Sequence, residues 1–176
     1  MKYVIKSGSI LLLSLFLTTC DDDSNSLNSG MDYGERMDYE IYRIVVSHTF
    51  PDSNAAFVLR DSTVMSSHLP EEILDEYFTG LEEETVVNYY ERGSERIPLK
   101  HIPGFPNCIL SRDFEGEQFQ YPDVTLSAIG YNDEKTQALV ETGILSAPLV
   151  GAGYLYFLEY EEGTWVIKKQ LMIWIS

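Results

Sequence analysis

Hydrophobic positions along the chain fall into three regimes. Over 9–19 they are nearly continuous, with Ile10, Leu11, Leu12, Leu13, Leu15, Phe16 and Leu17 interrupted only by Ser and Thr. Over 21–34 they almost vanish into Asp, Ser, Asn and Gly. Beyond that they become periodic, and the period separates helix from strand. Met37, Ile41, Ile44, Val45 and His48 recur at helical spacing, which predicts a helix over 37–50 stopped by Pro51. The stretch 55–65 is mostly apolar and β-branched and reads as a strand. Pro70 suits the first position of a helix over 71–78, with Glu71 and Glu72 where the helix dipole favours acids and Gly80 as the stop. A second short helix over 81–91 ends at Gly93.

Three prolines and a glycine make 97–106 a loop, and strand patterns then dominate: 124–131, 136–146, 153–161 and 164–175. Asn132-Asp133-Glu134-Lys135 and Glu161-Glu162-Gly163 carry turn chemistry and are short enough for hairpins, so the strands they join must be antiparallel. In the last strand Trp165, Ile167, Leu171, Ile173 and Ile175 share one face by strict alternation, and Val166, Lys168, Gln170, Met172 and Trp174 the other. The predicted class is α+β, with N-terminal helices packed on one side of a C-terminal antiparallel meander in a cystatin-like or nuclear-transport-factor-like (NTF2-like) curved sheet.

The first regime has the layout of a secretory signal. Lys2 and Lys6 precede an apolar run about half the ~20 residues that a spanning helix needs, and Asp21, Asp22 and Asp23 end it. Read as a buried helix instead, it would lack a polar face. Leu17-Thr18-Thr19-Cys20 resembles the bacterial lipobox, matching at Leu17 and Cys20 and departing at Thr19, where Gly, Ala or Ser is usual. That resemblance implies cleavage before Cys20 and acyl chains such as palmitate on it, the multiple attachments that stable anchoring requires. The alternative is a disulfide between Cys20 and Cys108, the chain's two cysteines. With Cys20 lipidated, Cys108 in Asn107-Cys108-Ile109-Leu110 reads as a buried, inert thiol in a strand. The expected organisation is a signal over 1–19, a disordered acidic tether over 20–36 and one domain over 37–176. Acidic runs after a lipidated Cys resemble surface-export signals in some envelopes and inner-membrane retention in others, so the anchor points to the bacterial envelope without choosing a leaflet.

Charge narrows the partners. The formal net charge is −16, and losing Lys2 and Lys6 with the signal takes it to −18. That argues against nucleic acid and anionic lipid, and for cationic partners or loosely held divalent ions. Glu82, Glu83 and Glu84 with Glu71, Glu72, Asp75 and Glu76 concentrate acid on the two short helices, as a solvated face or a surface steering a basic partner.

Over the last third, Tyr121-Pro122, Leu126-Ser127, Gly130-Tyr131-Asn132, Thr136-Gln137-Ala138-Leu139-Val140, Gly151-Ala152-Gly153-Tyr154, Gly163-Thr164-Trp165 and Trp174-Ile175-Ser176 resemble a group of small exported bacterial proteins that carry no assigned activity. The shared elements are turn glycines and core aromatics, which speak to fold; Gly130 and Gly163 fit places where a hairpin demands backbone freedom.

Nothing in the spacing nominates a catalytic, cofactor or metal residue. Gly151-Ala152-Gly153 lacks the third glycine and following helix of a phosphate loop and reads as a bend after Pro148. His48, His68 and His101 are too scattered for metal spacing, and Asp21–Asp23 lacks a closing turn. Tyr154, Tyr156 and Tyr160, among twelve tyrosines, form a row on one strand face, buried or open for binding. The sequence therefore points to a lipid-anchored, non-enzymatic module binding a protein or small ligand on the concave sheet face. An acidic immunity or inhibitor lipoprotein against a cationic protein is the alternative, and a hydrolase whose residues converge only in space is the third reading.

Overall fold

The computed structural model describes residues 31–67 and 69–176. The signal-like segment 1–19, Cys20, the tether to residue 30 and His68 lie outside the described residues.

The first helix, α1, runs Tyr33–Thr49, four residues ahead of the domain boundary expected at 37. Its start is set by Asp32, whose carboxylate accepts from the Glu35 amide at 2.8 Å, a cap that outranks the apolar period as a start signal. Strand β1 is Phe57–Leu59, shorter than the apolar run around it. Helices α2 (Glu71–Tyr77) and α3 (Glu83–Arg92) follow as predicted. Then come β2 (Cys108–Leu110), a single 3-10 turn at Ser111–Asp113, β3 (Asp123–Leu126), β4 (Gly130–Tyr131), β5 (Gln137–Ala147), β6 (Val150–Glu161) and β7 (Thr164–Ile175).

These strands form one mixed sheet in the order β2-β1-β3-β5-β6-β7, with β4 paired to β5. The β5–β6–β7 meander is antiparallel, as the short turns require. Strand β1, however, runs parallel to both β2 and β3. Parallel neighbours need a long crossover, and the stretch carrying α2 and α3 between β1 and β2 supplies it.

That crossover also corrects the expected layering, because helices cover both faces of the sheet rather than one. Ile41, Tyr42, Val45 and Val46 of α1 pack on Val124, Leu126, Ala138, Val140, Tyr156 and Leu158. Leu74 and Phe78 of α2 and Val86 and Tyr89 of α3 pack on Leu139, Leu155 and Phe157. Alternate residues of β5 and β6 thus enter different cores, and every residue from Gln137 to Gly143 is buried. Each large side chain so enclosed contributes roughly 1.5–3 kcal/mol, and the two cores hold α1 and α3 rigidly against the sheet.

Strand β7 departs from strict alternation. Opposite Phe157 and Leu158 it carries Lys168 as an extra residue, and opposite Gly153 and Tyr154 it carries Ile173. Each bulge reverses the facing of the residues beyond it. Trp165 and Ile167 therefore pack toward α1, whereas Leu171 and Ile173 pack toward α2 and α3, so the five residues expected on one face are divided.

Candidate functional site

The tyrosine row does not line an open surface. Tyr156 is fully buried, its hydroxyl within 3.4 Å of Thr49 Oγ1 and accepting from Gln170 Nε2 at 3.1 Å. Tyr154 packs partly buried against the same core, and Tyr160 alone is substantially open, at 44%. With α1 on one face and α2 and α3 on the other, β5 and the middle of β6 are covered on both sides, while most of β7 stays exposed.

Open space lies instead where α1, α3 and the turn after β4 converge. A cavity of about 420 Å³ is bounded by Met37 and Asp38 of α1, Asn88 and Arg92 of α3, Tyr131 of β4 and Asp133 and Lys135 of the turn. A second hollow of about 250 Å³ adjoins it, sharing Asn88, Tyr131 and Asp133 and adding Glu83, Glu84 and Glu91.

Local chemistry builds each wall. Tyr131 donates its hydroxyl to Asp38 Oδ1 at 2.7 Å and its amide to Asn88 Oδ1 at 2.9 Å, tying β4 to both helices. Asn132 accepts from the amides of Thr136 and Gln137 at 2.8 and 2.9 Å and donates to Glu82 Oε2 at 3.0 Å, so this predicted turn is stiff. Lys135 completes it at φ 54°, its amide donating to the Asn132 carbonyl. Gln137 caps α3 from outside the helix, its Oε1 accepting from the Glu82 amide at 2.9 Å and its Nε2 donating to the Gly80 carbonyl at 2.8 Å.

The electrostatics are mixed. Burial raises the Asp38 carboxyl above its ordinary 3.8; the Tyr131 hydrogen bond and the charges of Arg92 and Lys135 pull it down without cancelling that effect, and Asp32 adds to the rise. Burial beside Asp38 holds the Tyr131 phenol neutral. Arg92 gives Nη1 to the Ile129 carbonyl at 2.7 Å and Nε to Glu95 at 3.3 Å. The hollow is thus lined by two cations, Arg92 and Lys135, whose charges act on Asp38, and by Asp133, beside an acidic rim.

Comparison with protein-family models, curated proteins and solved structures finds no match. The site therefore rests on its own geometry.

Other candidate residues sit elsewhere. His48 is exposed on α1, 3.1 Å from Gln170 Oε1 and edge-on to Tyr156, and the Nδ1 of His101 lies 2.9 Å from the Cys108 carbonyl. Cys108 is buried in β2, where burial raises its thiol pKa. No group of three or more His, Cys, Asp or Glu that could hold a metal occurs among the described residues, and no described helix is long and apolar enough to cross a membrane. Glu71, Glu72, Asp75 and Glu76 face solvent on α2. Gly151 and Gly153 belong to β6 rather than a bend, and a side chain at Gly153 would overlap the indole of Trp174, which lies across them.

Glu141, in mid-β5 and only 6% exposed, was not singled out by the sequence. Its carboxylate accepts from the Ser67 amide at 2.6 Å, the Ser67 hydroxyl at 3.0 Å and the Tyr89 hydroxyl. Tyr89 is fully buried, and burial first, then the Glu141 charge, raises its pKa. This node pins the segment before α2 and helix α3 to the sheet, inside the core rather than in either hollow.

Proposed function

We propose that this chain is a bacterial envelope lipoprotein, anchored through Cys20, whose domain is a non-enzymatic binding module. Its partner site is the hollow between α1, α3 and the 132–135 turn. The observation that carries the second part is an open, polar-lined cavity of about 420 Å³ on a domain whose central strands are covered on both sides. Volumes of this order suit small ligands or an inserted side chain. We read the antiparallel meander with α1 upon it as a cystatin-like or NTF2-like unit to which the parallel strands β1 and β2 are added.

Two measurements test this. Mass analysis of the protein recovered from a bacterial membrane should show loss of 1–19 and acyl mass on Cys20; an intact Met1 removes the anchor. A photo-crosslinking residue at Asp133, in cells, should give a discrete adduct that the same residue at the remote, exposed Glu115 does not. Identical patterns at both positions, or none at Asp133, would remove the hollow as the binding site.

A second reading is an acidic immunity or inhibitor lipoprotein against a cationic protein. The adjoining hollow favours it, where Glu83, Glu84, Glu91 and Asp133 gather four carboxylates. Under that reading the Asp133 adduct weakens steeply with salt and disappears on reversing Glu83 and Glu84 to Lys.

A further inference from the structure

We propose that the cavity between α1, α3 and the β4–β5 turn recognises a small zwitterion, an amino acid or short peptide, holding its carboxylate at Lys135 and Arg92 and its ammonium at Asp38. This rests on the hollow being the binding site and goes further by naming what it takes.

Several donors and acceptors in the cavity have capacity left for a ligand. Asn132 spends its side chain inside the turn, accepting two amides and donating to Glu82 and Thr136. Asn88 uses its carbonyl oxygen on the Tyr131 amide, which turns its amide group to serve as a donor. Arg92 commits one Nη and its Nε, and a guanidinium has five N–H groups, so donors remain. Lys135, exposed on the turn, contributes an ammonium felt by Asp38. Asp38 receives Tyr131 at Oδ1, and a carboxylate has capacity for further donors at its other oxygen.

Charge then selects the ligand class. A simple anion would meet Arg92 and Lys135 but also Asp38 and Asp133, with Glu83, Glu84 and Glu91 at the neighbouring rim. A simple cation would suit that rim but meet Arg92 and Lys135 inside. A molecule carrying both charges a few bonds apart can set its carboxylate against Arg92 and Lys135 and its ammonium against Asp38 and Asp133. About 420 Å³ admits an amino acid or a dipeptide with room for side chains, and Met37 and Tyr131 add apolar atoms to its lining.

The test uses the full chain in detergent and calorimetric titration with the free amino acids and alanyl-alanine, each compared with its N-acetylated and C-amidated forms. At least one free zwitterion should bind, and each block should weaken it tenfold or more. Lys135→Gln should shrink the penalty of the C-terminal amide and leave that of the N-acetyl group. Asp38→Asn, whose side chain still accepts from Tyr131, should do the reverse. Absence of binding by every free form, blocked forms that bind equally, or a penalty unchanged in either variant overturns the proposal. If the Asp133 adduct persists through such a failure, the hollow remains the binding site and only its ligand class is wrong.

Discussion

A buried carboxylate survives in a core only when its hydrogen bonds are made, and Glu141 is held by Ser67 and Tyr89. Tyr89→Phe removes one donor while keeping the ring, and should cost roughly 1–3 kcal/mol in urea denaturation. A change below a few tenths would mean Tyr89 contributes packing alone. At Asp38 burial holds the folded carboxyl above 3.8. The folded state then binds a proton more tightly than the unfolded chain, so its contribution to stability is complete below 3.8 and is lost as pH rises through the folded value. Asp38→Asn should therefore be more stable than the parent at neutral pH, with the difference closing in acid; a variant less stable at pH 7 would contradict the burial of that charge. Neither residue was visible as special in the sequence, because what makes each unusual is a partner distant in the chain, Tyr131 for Asp38 and Tyr89 for Glu141.

Among the elements, glycine separates two physical roles that sequence alone merges. Gly163 stands at φ 90° beside Glu162 at φ 50° and supplies the backbone freedom of a tight hairpin, as expected of it. Gly130 is not at positive φ; it is small because α3 lies directly on it, and a side chain there would overlap the Tyr89 backbone. Gly163→Ala should cost on the order of 1 kcal/mol, whereas Gly130→Ala must push α3 off the sheet and should lower the melting temperature more. Equal losses in both would show that α3 moves freely. The helices, the meander and the 132–135 turn were legible because period and turn chemistry are local. Two-sided covering was not, since a run such as Ala138-Leu139-Val140 looks the same whether one or two layers bury it. The bulges in β7 escaped likewise, because an extra residue leaves the apolar pattern intact and changes only the direction of side chains.

For the molecule as a whole, the acidic balance outlasts the ion pairs among the described residues. Arg60, Arg92, Lys100, Arg112 and Lys168 each meet a carboxylate, yet Glu71, Glu72, Asp75 and Glu76 remain exposed on α2. Mutual repulsion among them opposes compaction, so added sodium chloride should raise the unfolding temperature; a flat or falling response would show that the charges already balance locally. The cleft was invisible at this scale too, since its walls come from α1, α3, β4 and a turn and contain no motif.

Strand β7 is the outermost member of the sheet, twelve residues long, with one side unpaired among the described strands. An edge of that length is a template on which further chains can add without limit. Its two extra residues break the even spacing that such stacking needs, and Lys168 and Lys169 stand together at one of them, so a second copy would meet a kinked, charged border. The irregularity that divides the faces of β7 thus also makes this border a poorer template for a second copy.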